Sequence, residues 1–498
     1  MFVSHSWAAD RWAKFLAMSL VLNLSLAVKA TLVSILLCQC SLLAFFPYLP
    51  VSAIFLIAMD VPVLVFFLVL LFGQQLTCGA WSPSIWIDKI CVNQMIDSEK
   101  EKAIAGLPAF VASSSQMVVL WDQTYFERLW CNFELALFAK CSGLKRLRVI
   151  PLWLPMWLLT TMTCCYVGGR LAAVAAGGGQ LEELEDQDGA KGAGQSAALT
   201  FGVERLGKYA ADSLGFVVFF LPSLMVSIVS FQAKLDGHRL MLESIRSFDV
   251  RAAACALDSD RLQIEAQVCE LFDGLEEPLV ATSLDTGSES EAEVALPVLS
   301  AEARRAIRSV TGFAEDGHCI QAFNRYVRGP LLDAILEDFG DELEAPWAMC
   351  LLSFLPATLS FVALTLVVAP DFHSCGYPSI EVYVFLNYLQ VLMMTLFILP
   401  LAHPMLLRAM GILATRLSPG CLRSTVTIGT GILVYSSLLV FSSVLSVTLE
   451  GFVITRHPAF LAGFLLSSLL VLVQSCRVFR GRCWDFPRCS CRCLGRSR

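Results

Sequence analysis

Eight stretches of this chain are too long and too apolar to rest in water, and that limits the fold before anything else does. They fall near residues 31–47, 51–72, 150–167, 213–230, 348–369, 382–402, 425–447 and 457–475. Each approaches the roughly 20 apolar residues with which a helix crosses hydrocarbon. A bilayer core offers no water to backbone groups, so an open chain spans it as helix. Pro47 and Pro50 between the first two stretches suit the tight turn of a helical hairpin. With the N-terminus in the cytosol, 31 Lys and Arg residues fall on the cytosolic side and 5 on the other. That asymmetry orients helices, so both termini are expected in the cytosol. The first stretch follows Arg11, Trp12 and Lys14 with no small-residue cleavage site, and is expected to act as its own insertion signal.

Composition narrows the function classes. Of 498 residues, 56% are hydrophobic and 16% charged, against about 25% charged in soluble domains. This excludes a soluble enzyme, a secreted disulfide-rich domain and a basic nucleic-acid binder. The lipid bilayer is the first partner, and no nucleic acid is expected. The net charge of −7 is uneven: residues 231–346 carry 23 acidic and 10 basic side chains, so the rest of the chain is mildly basic.

Two segments between spans are rich enough in polar residues to fold in water. Residues 73–148 alternate strand and helix patterns: Ile85-Trp86-Ile87 as a short strand, Leu107–Ser115 as helix, Gln116–Leu120 as a buried strand, Leu129–Lys140 as helix and Leu147–Ile150 as strand. Such alternation predicts a parallel sheet. A first strand is wanting there, and Phe2–Trp7 supplies one, followed by an amphipathic helix over Asp10–Ala30. An even number of spans separates the two pieces, so both reach the same side of the bilayer.

In this order the elements resemble the TIR (Toll/interleukin receptor) domain. Phe2-Val3-Ser4 is similar to its opening box, Trp86-Ile87-Asp88 to its second strand, and Lys89–Met95 to the loop that follows. Ser115–Leu120 resembles the third strand, Leu147–Pro151 the fourth, and Trp130-Cys131-Asn132-Phe133-Glu134-Leu135 the family's Trp-Cys-x-x-Glu-Leu helix. Trp86–Gln94 also resembles the signature of HET (heterokaryon-incompatibility) domains, a related α/β core. The resemblance covers 1–30 and 80–151, and nothing similar to the fifth strand and last helix follows.

The resemblance implies a flavodoxin-like α/β fold, assembly through self-association, and, in the enzymatic branch, cleavage of NAD as substrate with no resident cofactor and no metal. Glu134 matches the catalytic glutamate, and Ser4, His5, Ser6, Trp7, Asp88 and Lys89 border the nucleotide cleft. A carboxylate there would hold ribose hydroxyls and stabilise an oxocarbenium-like transition state. In the non-enzymatic branch Glu134 anchors a helix and Trp130 packs in the core. His5 reads as a structural turn residue, since nothing near it in sequence supplies an orienting carboxylate.

Residues 231–346 read as an acidic helical module for protein partners. Helices are predicted over Lys234–Phe248, Asp258–Leu271, Ala301–Val310 and Pro330–Phe339, with a flexible Glu/Ser/Gly-rich loop at 273–300. Inside the spans Asp60 stands without a paired Lys, Arg or His, which favours an interhelical hydrogen bond over an ion path. The last four spans read as free of buried charge. The 19 cysteines give no disulfide framework: Cys375 alone lies clearly in a non-cytosolic loop, with Cys164 and Cys165 near a membrane edge. Cys476, Cys483, Cys489, Cys491 and Cys493 share a tail with seven Arg, and their spacing is not that of a zinc site. The tail reads either as S-palmitoylated and lipid-bound or as a disordered basic end.

The expected order is thus 1–30, first strand and helix of the TIR-like domain; 31–72, a membrane hairpin; 73–151, the rest of that domain; 152–230, a second hairpin with a non-cytosolic loop; 231–346, the acidic module; 347–475, four spans; and 476–498, the tail. Signalling or defence at a membrane is the leading function. A transporter or channel with a cytosolic regulatory domain is the alternative.

Overall fold

The computed structural model describes residues 1–80, 82–92, 96, 106–143, 146–179, 195–255, 258–272, 316–339, 342–373 and 376–479. Outside them lie Asn93–Met95 of the expected loop, the 273–300 loop, the helix expected over Ala301–Val310, Cys375, and Cys483, Cys489, Cys491 and Cys493 of the tail. The chain forms two compact units. One comprises Met1–Asp10, Pro83–Leu152 and Gly237–Asp341; the other comprises Arg11–Ser82, Trp153–Asp236 and Glu342–Arg498.

Among the described residues the protein has seven helices long and apolar enough to cross a membrane, or eight with one bent pair counted as a span. They are Arg11–Tyr48, Val51–Leu76, Trp153–Ala175, Gly202–Arg246, the pair Trp347–Ser353 and Leu355–Asp371, Ile380–Arg416, Cys421–Thr455 and Pro458–Val478. We number them one to eight. Every apolar stretch of the sequence lies wholly or largely in one of them, and the architecture is that of a helical multi-pass membrane protein.

The helix expected to end near Ala30 does not end there. Arg11–Phe45 is one helix that contains neither Gly nor Pro, and Phe15–Val28 is free of charge, so nothing stops it before Pro47. It belongs to the membrane unit. Asn23, fully buried, locks the first two spans together: its Nδ2 donates to the Leu70 carbonyl at 2.8 Å, and Gln74 Nε2 donates to its Oδ1 at 2.8 Å. Such a buried amide joins helices where lipid supplies no hydrophobic drive.

Prolines explain the irregular turns. Pro62 lacks an N–H and its ring crowds the carbonyl four residues back. The preceding turn, Leu56–Asp60, therefore widens, with Val61 N–H reaching the Leu56 carbonyl. The fifth span bends by 51° around Phe354, just ahead of Pro356.

In the other unit, strands β1 (Phe2–His5), β2 (Met117–Trp121) and β3 (Leu147–Pro151) form a parallel sheet in the order β1-β2-β3. Phe2 pairs with Met117, and Met117 with Leu147. All the side chains of β1 and β2 are buried, as expected where both faces of a parallel sheet are covered. The strand predicted over Ile85–Ile87 shrinks to a single parallel bridge: Trp86 N–H donates to the Met1 carbonyl and Val3 N–H to the Trp86 carbonyl. Its ring stacks on Phe2 at 4.6 Å and on Phe110 at 5.6 Å. Pairing stops there because Asp88–Cys91 turns into a short helix.

Helix α1 (Leu129–Ser142) makes the crossover from β2 to β3 and buries Phe133 and Phe138 completely. Each such ring stabilises the fold by about 1.5–3 kcal/mol. Helices α2 (Asp258–Leu271), α3 (Asp316–Tyr326) and α4 (Leu332–Phe339) belong to the same unit, as do Gly237–Arg246 at the end of the helix Gln195–Arg246. The acidic segment is therefore built into the sheet-bearing unit. Ala254 pairs with Arg128, its N–H donating to the Glu127 carbonyl and its carbonyl accepting from Leu129 N–H at the start of α1. Asn324 fastens this stretch: its Oδ1 accepts from Val250 N–H and its Nδ2 donates to Asp249. The Asn324 hydrogen bond, with one from Arg251 N–H, holds the Asp249 carboxyl below its ordinary range.

Candidate functional site

The residues singled out in the sequence come together at the carboxyl ends of β1 and β2. β1 delivers Ser4 and His5 and is followed by Ser6 and Trp7; the bridge at Trp86 delivers Asp88 and Lys89; α1 delivers Glu134. Ser4 Oγ donates to Glu134 Oε2 at 2.6 Å and lies 2.7 Å from the Tyr125 hydroxyl. That hydroxyl also reaches the Cys131 carbonyl at 3.3 Å. The Cys131 thiol sits 3.7 Å from the His5 carbonyl. Ser6 Oγ is 2.8 Å from Thr124 Oγ1, and Thr124 in turn donates to Asp122.

A second, more open group flanks this centre. Trp7 Nε1 donates to Asp88 Oδ2 at 2.6 Å, Lys89 N–H donates to Asp88 Oδ1, and the Lys89 ammonium stands 5.9 Å above the Trp7 ring. His5 Nδ1 is 3.7 Å from Asp88 Oδ1. The carboxylate that sequence could not find for His5 thus comes from the far side of the membrane hairpin.

Electrostatics separate the two groups. Glu134 is 8% exposed and accepts a hydrogen bond from the Ser4 hydroxyl. Burial pushes its carboxyl up to about 8, only partly opposed by the Ser4 hydrogen bond and reinforced by the nearby Asp88 charge. At neutral pH Glu134 is therefore a protonated acid. Burial also pushes the Cys131 thiol and the Tyr125 hydroxyl well above their usual values, so neither is a ready nucleophile. The centre can donate a proton or hold a hydroxyl. It can act as an anionic stabiliser only once Glu134 ionises. Among the described residues no group of His, Cys, Asp and Glu has the arrangement of a metal site.

Sequence reasoning missed Tyr125 and Thr124 as members of the centre. Their signal was weak: they lie in the turn between β2 and α1, where the apolar pattern lapses.

Two readings of the spans are corrected. Asp60 is not alone: Tyr166 donates to its Oδ1 at 3.0 Å, and Arg170 Nη1 is 3.6 Å from its Oδ2. Arg170 lies beyond the apolar stretch 150–167, but the helix Trp153–Gly179 carries on through it. Nor are the last four spans free of buried charge. The seventh helix runs on to Thr455 and buries Glu450, whose Oε1 accepts from Arg205 at 2.6 Å and whose Oε2 accepts from Tyr209 at 2.8 Å.

Compared with family models, with curated proteins and with solved structures, the chain matches none.

Proposed function

We propose that the chain is a membrane-anchored signalling or defence protein whose sheet-bearing unit works as a TIR-like module, through self-association. The observation that carries this reading is convergence. Ser4, His5, Ser6, Trp7, Asp88, Lys89 and Glu134 are scattered over the first third of the sequence and meet at one end of one parallel sheet. Strand order supports it as well. The Trp86 bridge, β1, β2 and β3 run in chain order 2-1-3-4, the start of the flavodoxin-like order, whose ligands sit beyond the strand ends at the switch point. The excess of Lys and Arg puts this unit and both termini in the cytosol.

Self-association leads over catalysis because of the state of Glu134. NAD cleavage would draw on the same centre, with an ionised Glu134 against the ribose hydroxyls. In the arrangement described the carboxyl is protonated and covered, so cleavage requires it to open and ionise, whereas assembly requires no change there. Trp7 and Ile90 are exposed apolar side chains beside Asp88 and offer a surface to a second copy. Ion transport, with this unit as its regulator, is the second reading; the two guanidinium–carboxylate pairs among the spans favour it.

The test is cross-linking of the full chain in proteoliposomes at rising protein density, with free nicotinamide followed in the same samples after NAD is added. The expected outcome is density-dependent oligomers that Ile90→Glu weakens. A monomer at every density overturns the proposal. Nicotinamide release abolished by Glu134→Ala would make the module an enzyme as well; release that survives the substitution removes Glu134 from the chemistry.

A further inference from the structure

The membrane unit contains two copies of one polar arrangement. In each, a Tyr and an Arg one helical turn apart on one span face a carboxylate from another span: Tyr166 and Arg170 with Asp60, and Arg205 and Tyr209 with Glu450. The third and fourth spans carry the order Tyr-then-Arg and Arg-then-Tyr. The copies differ in how the guanidinium is satisfied. Arg205 is 16% exposed, donates to Glu450 at 2.6 Å and reaches the Tyr209 hydroxyl at 3.3 Å. Arg170 is 38% exposed, stays 3.6 Å from Asp60 and makes no hydrogen bond among the described residues; it also lies over the face of Phe55, 5.6 Å away.

A guanidinium carries five N–H donors, and a membrane span is the costliest place to leave them unfilled. Position shows what could fill them. Val167 and Val174, which lie one turn before and one turn after Arg170 on the same helix face, are exposed, as are Leu56 and Leu64 on either side of Asp60. Exposed apolar side chains on a membrane-spanning helix suit contact with lipid. Arg170 stands five residues before Ala175, where the third span ends, or about 7.5 Å at 1.5 Å per residue. An arginine at that depth extends its head group to the polar boundary while its stem stays in hydrocarbon. The chemistry there that matches a planar fork of donors is phosphate, bound through paired N–H···O contacts.

We propose that Arg170 binds the phosphate of a membrane phospholipid, and that Asp60, itself fixed by Tyr166, poises the guanidinium by competing for it. The pair is a lipid site on the outer surface of the bundle, and the Arg205–Glu450 pair is its closed counterpart inside.

Native mass spectrometry of the detergent-solubilised full chain, titrated with phosphatidylglycerol, tests this. Arg170→Ala should weaken the tightest lipid by about tenfold to a hundredfold, the worth of one charge-assisted contact. Arg170→Lys should recover part of the loss. Asp60→Asn should tighten binding, because it removes the competing carboxylate, and this arm reads out even if Arg170→Ala folds poorly. A galactolipid without phosphate should not compete, and millimolar inorganic phosphate should not displace the lipid. Equal lipid occupancy in wild type and Arg170→Ala overturns the proposal. So does displacement by inorganic phosphate, which would make this a plain anion site. A change of oligomeric state in Arg170→Lys would overturn it in favour of a second copy covering the face.

Discussion

Glu134 in the sheet-bearing unit and Glu450 in the membrane unit are both buried carboxyls, and they are partnered in different ways. Glu450 meets a guanidinium and a phenol, with both oxygens occupied. Glu134 meets only Ser4 among its hydrogen-bond partners and escapes the cost of a bare buried charge by keeping its proton. One unit uses a carboxyl to fasten helices, while the other holds a carboxyl ready to change state near neutral pH.

The comparison breaks most visibly at Arg205. Arg205→Ala removes one partner of a buried pair and should cost about 3–5 kcal/mol in the unfolding free energy measured in mixed micelles. Adding Glu450→Leu should return most of that loss. A single substitution that costs almost nothing would mean that Glu450 does not depend on the guanidinium.

Glu134→Gln sharpens the other side. Between the ordinary carboxyl value of 4.5 and about 8 the folded protein holds a proton that the unfolded chain has released. Wild-type stability should therefore fall as pH rises through that window, by about 1.4 kcal/mol per pH unit from this group. It should be level with respect to Glu134 below and above the window. Glutamine has no proton to lose, so the wild-type-minus-variant difference should carry that whole slope. Equal slopes in wild type and variant would show that Glu134 is ionised throughout.

Ser4→Ala tests the support beneath that carboxyl. It removes the one hydrogen bond that favours the ionised form, so the Glu134 titration should move higher still. Folding should lose about 1–2 kcal/mol. A downward move of the titration would show that Ser4 stabilises the protonated acid instead.

What was legible in the sequence follows the range of each force. The spans were legible because hydrocarbon imposes a length on every apolar run, and all eight runs became helices. Strands β2 and β3 were legible because a parallel sheet buries both faces and so erases polar alternation in Met117–Trp121 and Leu147–Pro151. Helix ends were harder to read. Arg11–Phe45 and Trp153–Gly179 pass through charged residues that resemble boundaries, since a long basic side chain sits on a helix as readily as beside one. The pairings His5–Asp88, Asp60–Arg170 and Arg205–Glu450 join residues far apart in the chain, and no local pattern marks them. The convergence of Ser4 and Glu134 could be anticipated only because a family resemblance tied the two positions together.

The register that pairs Phe2 with Met117 also fixes an order of events during synthesis. Strand β1 leaves the ribosome first, yet its β2 partner follows only after two membrane-crossing segments have been made. At roughly 5–20 residues per second, the strand waits on the order of ten seconds with its backbone edge unsatisfied. The sheet can therefore close only after the first hairpin has been synthesised. Until then β1 presents an open edge, the kind of surface on which another chain can pair.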